Sequence, residues 1–287
     1  MQKNDILQVS KSREVIQIDL EKVIRGKNPR LLKWLPRFLL SYMKRIVHQD
    51  EFNDFLLRTK DVMDHKFIDA AILDFGVVLI SEGLENIPKE GGLIIVANHP
   101  LGGIDGIALM CEVGKRRTDQ KAIVNDILMN LENMASLMIP VNKHGKNAAV
   151  SIAQIDQSYA SEGCTIVFPA GLVSRKQNGK IEDLEWKKSF VTKAIKYKHD
   201  VIPVYIDAQN SGFFYNLARF RKTMGIKANI EMFYLVNETY KQKGKAIKIT
   251  VGSPISYEKF TKENTDQQWA QKVKEHVYGM KNGKSVF

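Results

Sequence analysis

The sequence predicts an α/β fold with a mixed, largely parallel sheet flanked by helices, preceded by an N-terminal helical and basic segment. From residue 67 onward, apolar runs of strand length alternate with stretches of helical periodicity, a pattern typical of parallel strands joined by crossover helices. The 287 residues, 44% of them hydrophobic, are enough for one such domain with appendages.

The predicted elements can be followed in chain order. Residues 67–80 read as a helix or a buried strand, and LIIVA at 93–97 reads as a buried strand that follows a Pro/Gly-rich turn. The remaining predictions are helix 104–113, strand 122–124, helix 126–137, strand 139–141, helix 147–160, strand 165–168, helix 184–197, strand 201–206, and two β-rich runs at 228–236 and 246–251. We allow antiparallel pairing in the C-terminal pair.

These patterns divide the chain into a basic, amphipathic helical region (1–66), an α/β domain (67–279) and a flexible tail (280–287). Residues 22–45 contain eight basic and no acidic residues. Apolar side chains recur between the cations at helical spacing, with Pro36 as a kink. Such a segment associates with an anionic membrane surface, packs its apolar stripe on the domain core, or does both.

Composition excludes several classes of protein. The net charge of +11 favours a phosphate-bearing partner: a nucleic acid, an anionic bilayer or an acidic carrier protein. Cys111 and Cys164 lie far apart and outside any metal-binding pattern, so we expect neither a disulfide framework nor a metal site. No apolar run is long enough to cross a membrane, and no secretory signal is recognisable.

The segment NHPLGGIDG at 98–106 directly follows the buried strand 93–97. Ligands of open α/β sheets bind outside the carboxyl ends of strands, so His99 and Asp105 are expected in the crevice. A carboxylate bound to one ring nitrogen would make the other nitrogen a general base. The alternative is that His99 caps the strand and Asp105 only caps a helix.

This segment and two later ones resemble the glycerolipid (lysophosphatidate-type) acyltransferase superfamily. FPAGLVSR at 168–175 is similar to the family's F-P-E-G-x-R-S motif, and VIPV at 201–204 is similar to its strand motif with a proline. The three motifs occur in the family's order, and the likeness covers residues 83–215. The residues of the first two motifs resemble those of a bacterial, hemolysin-like branch of this superfamily, which includes aminolipid O-acyltransferases. The resemblance therefore implies the acyltransferase fold.

The chain departs from the family pattern at three places. Asp105 is one residue further from His99 than the usual H-x4-D spacing allows, and a one-residue bulge between the two glycines would restore the contact. Ala170 replaces the glutamate of the third motif. No G-x-x-F-x-x-R phosphate-binding motif occurs in residues 121–149, where Lys143 or Lys146 could stand in as a point charge. This favours a lyso-aminolipid with a carboxylate head group over lysophosphatidate.

The resemblance implies direct transfer of a fatty acyl group from an acyl carrier protein or acyl-CoA thioester to the hydroxyl of a lyso-lipid, without a bound cofactor. His99 would be the base and Asp105 would orient it. Backbone N–H groups of the Gly102–Gly103 loop or the Gly171 turn would stabilise the oxyanion, and Arg175 would bind an anionic head group. The expected substrate-binding residues are Asn98, Gly102, Gly103, Lys143, Phe168, Pro169, Gly171, Ser174 and Arg175.

The resemblance places the enzyme at the cytoplasmic face of the inner membrane, as a peripheral protein. We expect an anionic membrane surface and no nucleic acid among its partners. Two alternatives stay open: a non-catalytic lipid-binding scaffold of the same fold, which Ala170 and the longer His-to-Asp spacing favour, and a basic nucleic-acid-binding protein. The second rests on the net charge and on basic runs at 219–227 and 241–248, without any RRM, KH or helix-turn-helix pattern.

Overall fold

A mostly parallel sheet organises the larger of the two units in the computed structural model of this chain. The two units are Met1–Val62 and Met63–Phe287. The structure describes residues 17–27, 29–141, 148–177, 179–226, 229–284 and 286–287.

The described part of the first unit is mainly helical. Its described helices are α1 (Leu20–Lys27), α2 (Pro29–Trp34), α3 (Arg37–Ile46) and α4 (Gln49–Arg58). Pro36 is the N-cap of α3, so the helical stretch breaks at the predicted kink. Trp34 and Phe38 are 85% and 76% exposed, and α3 buries none of its side chains. Among the described residues, no helix has the length and apolar character needed to cross a bilayer.

The second unit contains the predicted α/β alternation. Its helices are α5 (Asp64–Phe75), α6 (Ile104–Gly114), α7 (Ala148–Ala160), α8 (Ser189–Tyr197), α9 (Gly212–Thr223), α10 (Leu235–Tyr240) and α11 (Asp266–Met280). Its strands are β1 (Val78–Glu82), β2 (Leu93–Ala97), β3 (Gln120–Asn125), β4 (Met138–Val141), β5 (Cys164–Val167), β6 (Arg175–Gln177), β7 (Lys180–Glu182), β8 (Asp200–Asp207) and β9 (Ala246–Val251).

Within the described residues, seven strands form one sheet in the order β1-β9-β8-β2-β5-β3-β4. Every neighbouring pair is parallel except β8 and β9, so the sheet is mixed and largely parallel, as the sequence predicted. All five residues of β2 are buried, which is typical of a central parallel strand covered on both faces. Ile94 and Val96 share one core cluster with Phe190 of α8 and Val273 of α11.

Three segments differ from their predicted structures. Residues 126–137 form two 3₁₀ helices instead of one α-helix, and the helix predicted to begin at 184 begins at Ser189. The run predicted as a strand at 228–236 forms a 3₁₀ helix, Ile230–Tyr234, which leads into α10. Short apolar runs do not distinguish a strand from a helical turn by periodicity, and here the segment packs against α9.

The final residues contact α11. The Val286 N–H donates to Nδ1 of His276 at 3.0 Å, and the rings of Phe287 and His276 meet edge to face at 5.4 Å.

Arg117 joins the loops at the end of the sheet where β2 and β5 begin. Its guanidinium is 1% exposed, forms a two-pronged pair with Asp119, and donates to the carbonyl oxygens of Pro88, Gly91 and Glu162 at 2.9–3.1 Å. The planar guanidinium has five N–H donors that can reach all of these acceptors at once. A lysine ammonium group, with three donors on one nitrogen, cannot.

Replacing this side chain should therefore destabilise the fold even when the charge is kept. We expect Arg117→Lys to lower the free energy of unfolding by about 3 kcal/mol, because a buried ammonium keeps the charge but loses most of the hydrogen bonds to Asp119 and to the three carbonyl oxygens. Urea unfolding followed by circular dichroism measures the change, with the exposed Arg219→Lys as the matched control. Equal unfolding midpoints for the two variants would contradict the role assigned to Arg117.

Candidate active site

The loop that follows β2 is anchored by Asn98. Its side-chain amide donates to the Ile206 carbonyl at 2.9 Å and accepts from the Ile206 N–H at 2.7 Å, and the residue is 2% exposed. Asn98 thus ties the end of β2 to the end of β8. The sequence predicted a substrate-binding role, but both ends of the amide are bonded inside the protein.

His99 and Asp105 form the predicted pair. Nδ1 of His99 lies 3.0 Å from Oδ2 of Asp105, although their spacing is one residue longer than the family pattern. The imidazole is 18% exposed and the carboxylate is fully buried. Since Nδ1 faces the carboxylate, Nε2 is the nitrogen available to a substrate. Within the described part of the chain, no residue hydrogen-bonds Nε2.

The glycine-rich loop wraps around the Asp105 carboxylate. Oδ2 accepts from the N–H groups of Leu101 and Gly102 at 2.8 and 3.2 Å, and Oδ1 accepts from those of Gly103 and Gly106 at 2.9 and 3.0 Å. Gly102 has a φ of +83°, and a Cβ at this position would collide with the Val173 side chain. The loop accommodates the extra residue between His99 and Asp105 through this left-handed turn, which requires glycine.

The same bonds bear on the predicted oxyanion donors. The N–H groups of Gly102 and Gly103 point at Asp105, and the N–H of Gly171 donates to the Phe168 carbonyl at 2.9 Å. In this structure these groups hold the loops in place, so an oxyanion formed at the site needs other donors.

The buried pair shifts both ionisation equilibria. Burial alone would lower the His99 pKa, but the charge and hydrogen bond of Asp105, aided by the charge of Asp183, outweigh it and raise the pKa. Burial alone would raise the Asp105 pKa, yet His99 and the loop N–H groups lower it. The site thus holds an ionised carboxylate beside an imidazole that accepts a proton readily, as a general base requires.

A second carboxylate, Asp183, holds the backbone of the histidine. It is fully buried and accepts from the His99 N–H at 3.2 and 3.3 Å, from Oγ of Ser174 at 2.6 Å and from Nε1 of Trp186 at 2.9 Å. Burial raises the Asp183 pKa, although the hydrogen bonds from Ser174 and Trp186 oppose this. Asp183 was not predicted from the sequence, because nothing in KIEDLEW at 180–186 distinguishes it from its acidic neighbours.

The segment at 168–175 surrounds His99. The Phe168 ring lies 4.3 Å from the imidazole centroid at an interplanar angle of 32°. Ser174 is buried, and its N–H donates to the His99 carbonyl at 2.8 Å. The Pro169 carbonyl accepts from the Lys187 N–H at 3.1 Å, and Gly171 has a φ of +63°. Phe168 and Ser174 therefore lie against the histidine and position it; the sequence predicted substrate-binding roles for both.

Arg175, predicted to bind a head group, is held in an internal ion pair. Its Nη2 lies 3.2 Å from Oε1 of Glu231, a fully buried carboxylate that also pairs with Nε of Arg221 at 2.8 Å. The guanidinium lies 5.2 Å from the centre of the Phe214 ring. Burial lowers the Arg175 pKa against the opposing charge of Glu231. The two other candidate cations lie outside the described residues: Lys143 and Lys146.

No group of three or more His, Cys, Asp or Glu side chains that could hold a metal ion occurs within the residues that the structure describes.

The chain is similar to curated proteins over most of its length. It is 46% identical over 262 residues to the lyso-glycine lipid O-acyltransferase of Bacteroides thetaiotaomicron. This alignment covers 91% of this chain and 96% of that protein. It is 45% identical over 265 residues to the lyso-glycine lipid O-acyltransferase of Phocaeicola vulgatus. This alignment covers 92% of this chain and 95% of that protein.

Among solved structures, the chain is similar to the 1-acyl-sn-glycerophosphate acyltransferase PlsC from Thermotoga maritima. The identity is 19% and the TM-score 0.47, with 93% of this chain and 100% of that chain covered.

A model of the acyltransferase family matches residues 22–286, which include the His99 loop, the 168–175 segment and every strand of the sheet. With this match and the two relatives above, the chain belongs to the acyltransferase family.

Proposed function

We propose that this chain is an O-acyltransferase that moves a fatty acyl group from a thioester to the hydroxyl of a lyso-glycine lipid. The observation that carries the proposal is the buried Asp105 carboxylate on Nδ1 of a partly exposed His99, which leaves Nε2 for the acceptor. Two curated relatives of similar length bear that activity in their names, which supports this acceptor over a phosphate-bearing one.

In the proposed reaction, Nε2 of His99 removes the proton of the acceptor hydroxyl while its oxygen attacks the thioester carbonyl carbon. Asp105 stabilises the imidazolium through Nδ1–H. When the tetrahedral intermediate collapses, the C–S bond breaks and the imidazolium returns its proton to the leaving thiolate. The acyl group passes directly to the acceptor, and no acyl-enzyme forms.

The binding roles assigned to the other motif residues are part of this proposal. We assign Phe168 and Ser174 to positioning of His99, because both contact it directly. The Arg175 guanidinium is paired with Glu231, so we assign it no contact with the lipid head group. Lys143 is the cation we assign to the carboxylate of the acceptor.

The acyl donor is an acyl carrier protein or acyl-CoA, and both are anionic, which suits a chain with a net charge of +11. We place the enzyme at the cytoplasmic face of the inner membrane, on an anionic lipid surface. The exposed Trp34 and Phe38, in a segment rich in cations, support membrane association.

The catalytic assignment predicts that His99→Ala lowers kcat by about a hundredfold or more, because the acceptor hydroxyl loses its base. The assay follows labelled palmitoyl from acyl carrier protein or coenzyme A to lyso-glycine lipid, lyso-ornithine lipid and lysophosphatidate. We expect the wild type to prefer lyso-glycine lipid.

His48→Ala, a histidine of the first unit, is the matched control, and thermal unfolding checks that both variants fold. A folded His99→Ala protein with wild-type activity would overturn the catalytic assignment. A preference for lysophosphatidate would overturn the proposed acceptor.

The electrostatics of the site predict a pH dependence. Activity requires neutral His99, so kcat/KM falls at low pH as His99 becomes protonated; we call this fall the acidic limb of the pH profile. Because the His99 pKa is raised, the midpoint of the acidic limb lies above the ordinary histidine value of 6.5. The Asp183 charge contributes to that increase, so Asp183→Asn should move the acidic limb to lower pH.

Glu182→Gln, a neutralised carboxylate next in sequence, should leave the limb in place. A merely structural role for Asp183 would lower activity at every pH without moving the limb, and that result would contradict the electrostatic assignment.

A further inference from the structure

We call the chain between β8 and β9 (residues 208–245) the excursion. It contains α9, the 3₁₀ helix Ile230–Tyr234 and α10. Its only acidic residues, Glu231 and Glu238, both have fully buried side chains. Glu231 is neutralised by Arg175 and Arg221, and Glu238 by Lys241 at 2.6 Å. In the described part of this excursion, therefore, no carboxylate contributes negative charge to the outer surface.

Helix α9 is apolar on two sides. Phe214, Tyr215 and Ala218 are buried on its inner side. Phe213, Phe220 and the C-cap residue Met224 are spaced at i, i+7 and i+11, which places them on one side of the helix, and they are 50%, 57% and 61% exposed. A surface helix of a soluble domain ordinarily presents polar residues on its outer side. This exposed apolar stripe is therefore a candidate contact surface for a membrane or another protein.

The stripe continues onto the neighbouring segments. The ring of Phe213 meets Tyr234 edge to face at 5.0 Å, which joins α9 to the 3₁₀ helix. We define the α9–α10 surface as the exposed apolar residues Phe213, Phe220, Met224, Ile226, Phe233 and Val236. Nζ of the exposed Lys241 lies 5.8 Å from the centre of the Phe213 ring.

The excursion that carries this surface contacts the candidate active site through its inner side. The Nδ2 group of Asn210 donates to the Pro100 carbonyl, within the His99 loop, at 3.2 Å. Leu235 of α10 packs in one cluster with Val173 of the 168–175 segment. The excursion thus contacts both loops that hold His99, while none of the described residues buries the apolar side chains on its outer side.

The exposed aromatic and aliphatic side chains have Lys241 beside them, and the same segment exposes Arg219 and Lys222 while its two carboxylates are buried. This combination matches an anionic lipid interface. An acidic carrier protein would match the cations as well. The position beside His99 favours the lipid, an argument that rests on the proposed function, because the acceptor must then pass from a bilayer into the site.

We propose that the α9–α10 surface lies in the interfacial region of an anionic bilayer and brings the site to its lipid acceptor. This contact belongs to the α/β unit itself and adds to whatever binding the first unit supplies.

The test measures binding of the full chain to phosphatidylcholine vesicles with and without phosphatidylglycerol, by flotation. The variant is Phe220→Ser/Met224→Ser/Phe233→Ser, prepared both in the wild type and in a Trp34→Ser/Phe38→Ser background that weakens binding through the first unit. We expect the triple substitution to reduce partitioning onto anionic vesicles about tenfold or more in both backgrounds.

The matched control is Leu73→Ser/Val150→Ser/Ile152→Ser, three exposed apolar residues elsewhere in the same unit, and it should partition like its parent. Unchanged partitioning of the triple variant would overturn the proposal. Unchanged partitioning with a raised KM for acyl carrier protein would overturn it in favour of a protein partner. Because binding is measured without turnover, lost binding supports the surface even if lyso-glycine lipid is not acylated, and that second failure would count against the proposed function alone.

Discussion

The buried carboxylate of Asp105 is the interaction on which the geometry of the site depends. An ionised group with no exposure is costly unless every oxygen is paired, and here four backbone N–H groups and the imidazole satisfy it. Meeting that requirement bends the loop through left-handed Gly102 and directs Nδ1 of His99 inward. One set of hydrogen bonds therefore fixes the loop, the ring orientation and the tautomer that a general base needs.

Around this pair, two further carboxylates organise the segments that make up the site. Asp183 joins the His99 backbone to Ser174 and Trp186, so the histidine and the 168–175 segment are held by one group. Glu231 joins Arg175 to the excursion that carries α9. Both carboxylates lie in the interior, and the exposed charged side chains in the described part of the excursion are all cations.

The sequence predicted the features that depend on local pattern. Strand β2 is an uninterrupted apolar run, and His99 and Asp105 share one short glycine-rich loop, so neither needed tertiary information. Asp183 and Glu231 were not predictable, because the groups they bind, the His99 N–H and Arg175, lie 84 and 56 residues away. The expected head-group role of Arg175 was drawn from a motif, which does not reveal that a distant glutamate occupies the guanidinium.

The central claim is that Asp105 holds His99 with its proton on Nδ1 and with a raised pKa. Nitrogen NMR of the imidazole across a pH titration of the wild type, with His99→Ala to assign the signals, measures both properties at once. The account predicts an Nδ1–H tautomer at high pH and a pKa above the ordinary 6.5. An Nε2–H tautomer, or a pKa below that value, would contradict it.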